Sequence, residues 1–89
     1  MFEFDPDKSA ANLAKHGIDF EQAQSLWLDP ARYEIPSEEG LEERWLLIGM
    51  IDDRYWTAVY TMRGDIVRII SVGRSRMNEA RDYGSRQDN

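Results

Sequence analysis

Eighty-nine residues with a formal net charge of −6 and no cysteine supply one hydrophobic core rather than two and exclude a disulfide framework or a thiolate metal site. No apolar run approaches the ~20 residues that span a bilayer, and an acidic opening at Glu3, Asp5 and Asp7 begins no signal peptide, so the expectation is a single cytoplasmic domain over residues 1–89. Residues 1–59 hold 5 basic and 13 acidic side chains, a net of −8, whereas residues 60–89 hold 6 arginines and 4 acids, a net of +2.

Phe2-Glu3-Phe4 reads as a short strand. Asp5-Pro6 is an N-cap followed by proline at the first helical position, where its missing N–H costs nothing. The stretch from Asp7 to His16 is helix-compatible, and Gly17 stands where a left-handed C-cap ends it. Asp19 with Gln22 makes a capping box for a second helix, whose apolar stripe is Phe20, Ala23, Leu26 and Trp27. Asp29-Pro30 stops that helix. Arg32 to Pro36 fits an edge strand, since proline suits an edge, and Ser37 to Glu43 is an acidic loop.

Arg44 to Ile51, Tyr55 to Met62 and Asp65 to Val72 are three strands rich in β-branched and aromatic residues. Asp52-Asp53 and Arg63-Gly64-Asp65 occupy the hairpin positions. Ser75 can cap a last helix from Arg76 to about Tyr83, with Gly84 as its stop and a polar tail after it. The expected fold class is α+β: a small two-layer domain with N-terminal helices packed on a mainly antiparallel β-sheet and a short C-terminal helix. The sequence contains no nucleotide-binding loop, zinc signature or nucleophile elbow.

Phrases along the chain resemble one family. Phe2-Glu3-Phe4-Asp5, Lys8, Asn12, Lys15-His16-Gly17-Ile18-Asp19-Phe20 and Ala23 resemble the opening of BrnT-type toxins, and Asp29-Pro30 falls where that family has the same pair. Glu43-Arg44 with Ile48-Gly49 resembles its first long strand. Thr61, Arg63-Gly64 and Arg68-Ile69-Ile70-Ser71 resemble its last hairpin, and Arg74, Glu79 and Tyr83 its closing helix.

The resemblance implies a RelE-like ribonuclease fold and toxicity by cutting RNA and inhibiting translation. It also implies a cognate BrnA-like antitoxin with a ribbon-helix-helix part, through which alone the toxin reaches operator DNA. No cofactor, metal or membrane is expected. The chain departs from the family at one position: where arginine usually follows Ile-Ser-Ala or Ile-Ser-Val, this chain has Gly73. A second reading follows from that departure, a weakened toxin homologue that mainly binds antitoxin and acts as co-repressor.

RNA cleavage without a metal needs the 2′-hydroxyl deprotonated, the leaving oxygen protonated and the phosphate charge offset. His16 is the only histidine, the side-chain type that ordinarily titrates near neutral pH; its other reading is a helix-end residue bonding a terminal carbonyl. Lys8 and Lys15 lie on one helix face, where they contact the RNA backbone, one of them donates a proton, or they are solvated surface; Lys15, beside His16, is the candidate for the catalytic group near the scissile bond. Arg44, Arg68 and Arg74 suit bidentate phosphate contacts. Arg68 interrupts an apolar strand, so it faces a phosphate or pairs with Glu43 or another carboxylate. Arg63 and Arg76 are further candidate RNA contacts, with turn surface the other reading of Arg63. Trp27, Trp45, Trp56, Tyr55, Tyr60 and Phe20 can stack on bases or fill the core.

Overall fold

The caps at Asp5 and Asp19 act as their chemistry dictates. In the computed structural model, which describes residues 1–37, 43–76, 79–81 and 83, helix α1 spans Pro6–His16. The Asp5 carboxylate accepts from the Asp7 N–H, and Gly17 ends the helix at φ 81°, a region that Cβ-bearing residues rarely adopt. Asp19 and Gln22 cap each other around α2, Phe20–Ala23. The second helix expected through Trp27 is shorter, because a 3-10 turn takes over at Gln24–Leu28. That tighter turn seats Leu26 fully buried against β3. A Cβ on Gly49 would lie only 3.1 Å from Leu26 Cδ2, so glycine is what admits the approach.

The strands are β1 (Phe2–Glu3), β2 (Tyr33–Ser37), β3 (Arg44–Ile51), β4 (Arg54–Arg63) and β5 (Ile66–Arg74). They form one five-stranded sheet in the order β1-β5-β4-β3-β2. β2 to β5 are an antiparallel meander, while β1 lies parallel to β5. Asp52 and Asp53 turn the β3–β4 hairpin with φ of 50° and 63°, the pair of left-handed residues that a two-residue hairpin of matching twist requires. The expected α+β architecture, with N-terminal helices on a mainly antiparallel sheet and a short helical segment at the C-terminal end (residues 79–81 and 83), is the one found. The acidic loop expected around Gly40 falls mostly on residues 38–42, and it lies outside the described residues, as do Gly84 and the tail.

Ser75, expected to cap that last segment, instead continues from the sheet, its N–H on the Tyr55 carbonyl. β5 runs past Val72 to Arg74, so Ser75 is the residue that follows the strand. The Arg76 carbonyl accepts from Ala80 N–H and its N–H donates to Glu79 Oε1.

One register shift in β5 decides what each face of the sheet carries. Tyr60 pairs with Ile69 but Val59 pairs with Ser71, leaving Ile70 as the extra residue of a bulge. Ile69 and Val72 therefore both face the helices, with Phe20, Leu26, Leu47, Trp56, Ala58 and Tyr60 around them. Ser71 and Gly73 are turned to the opposite face. On that face Tyr33, Ile48 and Tyr83 form a second buried cluster, beside Tyr55 and Leu46.

α1 is fastened to the edge of β5 by one buried amide. Asn12 Nδ2 donates to Val72 O at 2.9 Å and to Ile18 O at 2.8 Å, and its Oδ1 accepts from Val72 N–H at 3.3 Å. Asn12 thus takes the place of a neighbouring strand where β1 has already ended. Asn12→Ala leaves these buried backbone groups without partners, at about 1–3 kcal/mol for each group left unpaired. We expect a loss of about 2–4 kcal/mol in denaturant unfolding, and a larger loss for Asn12→Asp, which turns the donors into acceptors facing two carbonyls.

Tyr60 adds a pH-dependent contribution. Burial, then its hydrogen bond to Glu34 and the charge of that carboxylate, push the Tyr60 phenol above its ordinary range against the opposing pull of Arg32. The neutral phenol is favoured in the fold, so its contribution is present below about pH 10 and lost above it as the unfolded chain ionises. Unfolding midpoints at about pH 9 and about pH 11 should therefore fall less for Tyr60→Phe than for the parent.

Candidate active site

One end of the second sheet face forms a cleft of about 600 Å³. Its floor is Leu46 of β3, Thr57 and Val59 of β4, and Ser71 and Gly73 of β5, while His16, Ser37, Arg44, Arg74, Arg76 and Glu79 line the rim. The bulge at Ile70 is what turns Ser71 and Gly73 into this floor. Among the described charged groups of the lining, three are arginines and one is a carboxylate, so the cleft is locally cationic in a chain of net charge −6.

His16 arrives by way of the Asn12 anchor. α1 ends at the β5 edge with its last residue against Gly73: a Cβ at Gly73 would lie 3.7 Å from His16 Cε1 and 3.8 Å from Nδ1. The imidazole is solvent-exposed. The helix-end capping expected as the other reading of His16 is carried out by the Gly17 backbone, whose N–H donates to Leu13 O at 2.9 Å.

Glu79 reaches the cleft from the C-terminal segment. Its Oε1 accepts from Thr57 Oγ1 and from Arg76 N–H, each at 2.9 Å, so Oε2 carries neither bond. Thr57 Oγ1 also lies 2.8 Å from Ser75 Oγ. Since the single Thr57 hydroxyl proton goes to the carboxylate, Ser75 is the donor of that pair. A relay Ser75–Thr57–Glu79 results.

The arginines divide into two groups. Arg44 and Arg76 line the cleft, and Arg44 Nε is buried with no hydrogen-bond partner among the described residues. Arg74 borders the same cleft, but its guanidinium lies over the Trp56 ring, 5.6 Å from the centroid. Arg68 Nη1 and Arg63 Nε sit 3.5 Å and 3.4 Å from Glu3 Oε1. The carboxylate facing Arg68 is therefore Glu3 of the adjacent β1, and neither arginine lines the cleft. Lys8 and Lys15 are exposed along α1 and do not line it either. Of the aromatic residues, Phe20, Trp56 and Tyr60 are core, and Trp27 packs edge-on to Phe2 and Tyr60.

Thr57, Ser75 and Glu79 were not legible as site residues. Glu79 stands among the residues that carry the family resemblance, yet only the docking of the C-terminal segment brings it to Thr57. Among the described residues no three histidine, aspartate or glutamate side chains converge as metal ligands, and no helix there is long and apolar enough to cross a membrane.

Residues 4–79 match the family model described as the ribonuclease toxin, BrnT, of type II toxin-antitoxin systems. Comparison with curated proteins gives no match.

Gly73 pairs in register with Thr57, so the bulge lies at Ile70 and the backbone at residue 73 requires no glycine. An added Cβ meets only ordinary van der Waals contact. Gly73→Arg should consequently fold with a stability within about 1 kcal/mol of the parent, as read from thermal and denaturant unfolding.

Proposed function

The chain belongs to the BrnT family of ribonuclease toxins of type II toxin-antitoxin systems, and on that premise we propose that its cleft cuts RNA by a metal-independent attack of the 2′-oxygen on the scissile phosphate. The observation that carries this reading is the meeting of the only histidine with Arg44, Arg76 and the Glu79 carboxylate in one cleft. Glu79 takes the proton of the 2′-hydroxyl as that oxygen bonds to phosphorus. The bond from phosphorus to the 5′-oxygen breaks, and His16 in its protonated form gives that oxygen a proton. The products are a 2′,3′-cyclic phosphate and a free 5′-hydroxyl. Arg44 and Arg76 offset the charge that gathers on the non-bridging oxygens.

Arg74, held over Trp56 at the lip, contacts the neighbouring phosphate, and Lys15 and Lys8 contact the backbone that leads away along α1. Arg63 and Arg68, both on Glu3, carry no step. The family implies an antitoxin partner. In this reading it is a BrnA-like antitoxin that covers the cleft with an acidic segment, complementary to the three arginines of the lining. Its ribbon-helix-helix part makes the only contact with operator DNA. Free of the antitoxin, the protein cuts RNA in the cytoplasm and thereby inhibits translation.

Cleavage of an RNA oligonucleotide by the purified protein in the presence of a chelator tests the reading. His16→Ala and Glu79→Gln should each lower kcat by about 100- to 10,000-fold, while the parent keeps its rate with chelator present. Gly73→Arg, which adds a donor beside His16, should raise the rate, and His16→Ala should cancel that gain. A parent protein that leaves RNA intact, or variants that cut as fast as it does, would end the reading.

A further inference from the structure

We infer that Tyr83 is a positioning residue for Glu79: its phenol, fastened to Asp29, sets where the carboxylate stands in the cleft. The inference rests on the proposed part of Glu79 in RNA cleavage. Glu79 belongs to no strand, so the sheet holds it only through contacts made by the C-terminal segment. Tyr83 is the deepest of these, with 2% of its surface exposed. Its hydroxyl donates to Asp29 Oδ2 at 2.8 Å, and its ring meets Tyr55 edge-on at 5.2 Å between centroids.

Asp29 is itself part of the frame. Its Oδ1 accepts from Ala31 N–H at 2.8 Å. Its Oδ2 accepts at 2.9 Å from Met50 N–H, a donor of β3 beyond the last rung of β2. A hydroxyl bonded there is tied to the sheet. Glu79 and Tyr83 stand four apart in a helical segment, so they share one face a single turn apart. Seating the phenol on the sheet aims the carboxylate at the same face, where Thr57 receives it at 2.9 Å. Tyr33 adds a weaker hold, its hydroxyl 3.5 Å from the Glu79 carbonyl. Tyr83 is not itself one of the residues that line the cleft, and its effect on the reaction passes through Glu79.

Misplacement of a proton acceptor slows the chemical step more than it weakens binding. Single-turnover and steady-state cleavage of an RNA oligonucleotide should be compared for the parent, Tyr83→Phe, Glu79→Gln and the double variant, with unfolding midpoints measured alongside. Tyr83→Phe should lower kcat about 10- to 100-fold with KM changed less than about twofold, and it should have no further effect in the Glu79→Gln background. An equal loss in both backgrounds, or a parental kcat for Tyr83→Phe while Glu79→Gln is slow, overturns the inference and leaves the cleavage reading intact. A parental rate for Glu79→Gln overturns the Glu79 assignment itself, and the inference with it. If Tyr83→Phe is too unstable to assay, Tyr33→Phe tests the same anchoring: a smaller fall in kcat that vanishes in Glu79→Gln supports it, and a fall that persists there overturns it.

Discussion

The three hydrogen bonds on the Asn12 amide hold the N-terminal helix to the sheet, and the rest of the site depends on them. β1 covers only two residues of the β5 edge, opposite Val67 and Arg68. Beyond that point β5 would present an open row of backbone donors and acceptors, available to any other strand. Asn12 satisfies both the N–H and the carbonyl of Val72 from within a helix, and ties the Ile18 carbonyl into the same node. The edge is closed at Val72, the α1–α2 connection is fixed, and His16 is brought round the edge to the opposite face beside Gly73.

Local chemistry was legible in the sequence and long-range docking was not. The caps at Asp5, Gly17 and Asp19 read correctly because each is a matter of a few neighbouring residues. The meander read correctly because the two turns are short and the strands alternate. The bulge at Ile70 was hidden: counting by twos from the buried Ile69 puts Ser71 and Gly73 toward the helices, the face they do not take. The 3-10 turn was hidden too, since it follows from how Leu26 meets Gly49 in another element. The charge on Arg68 marked a position that needs a partner. That the partner is Glu3 follows from a parallel pairing between the first and last strands, which no local signal announces.

Charge follows the same division. Six of the nine arginines lie after residue 60, yet Arg63 and Arg68 share the Glu3 carboxylate at the far end of β5. The cationic cleft instead draws Arg44 from the acidic half of the chain and joins it to Arg74 and Arg76. A carboxylate shared by two cations contributes to the register of β1 on β5, whereas cations without such a partner keep their capacity for phosphate. Net charge over a stretch of sequence is therefore a poor guide to where an anion binds, because it counts pairs already satisfied together with groups still available.

The two side chains proposed for proton transfer are delivered by the same device. Asn12 and His16 are four residues apart on α1, and Glu79 and Tyr83 are four apart on the C-terminal segment. In each pair one member is buried and bonded to the sheet framework while the other reaches the cleft one turn away. One turn of helix is short and stiff, so fixing the anchor fixes its neighbour to within the slack of a side chain. The cost of ordering a reactive group is thus met where burial and hydrogen bonding are available, and the reactive group itself stays open to the cleft. A domain this small has little buried surface to spare for a site of its own. Placing two anchors inside clusters that already hold the fold lets the same buried contacts serve stability and geometry together.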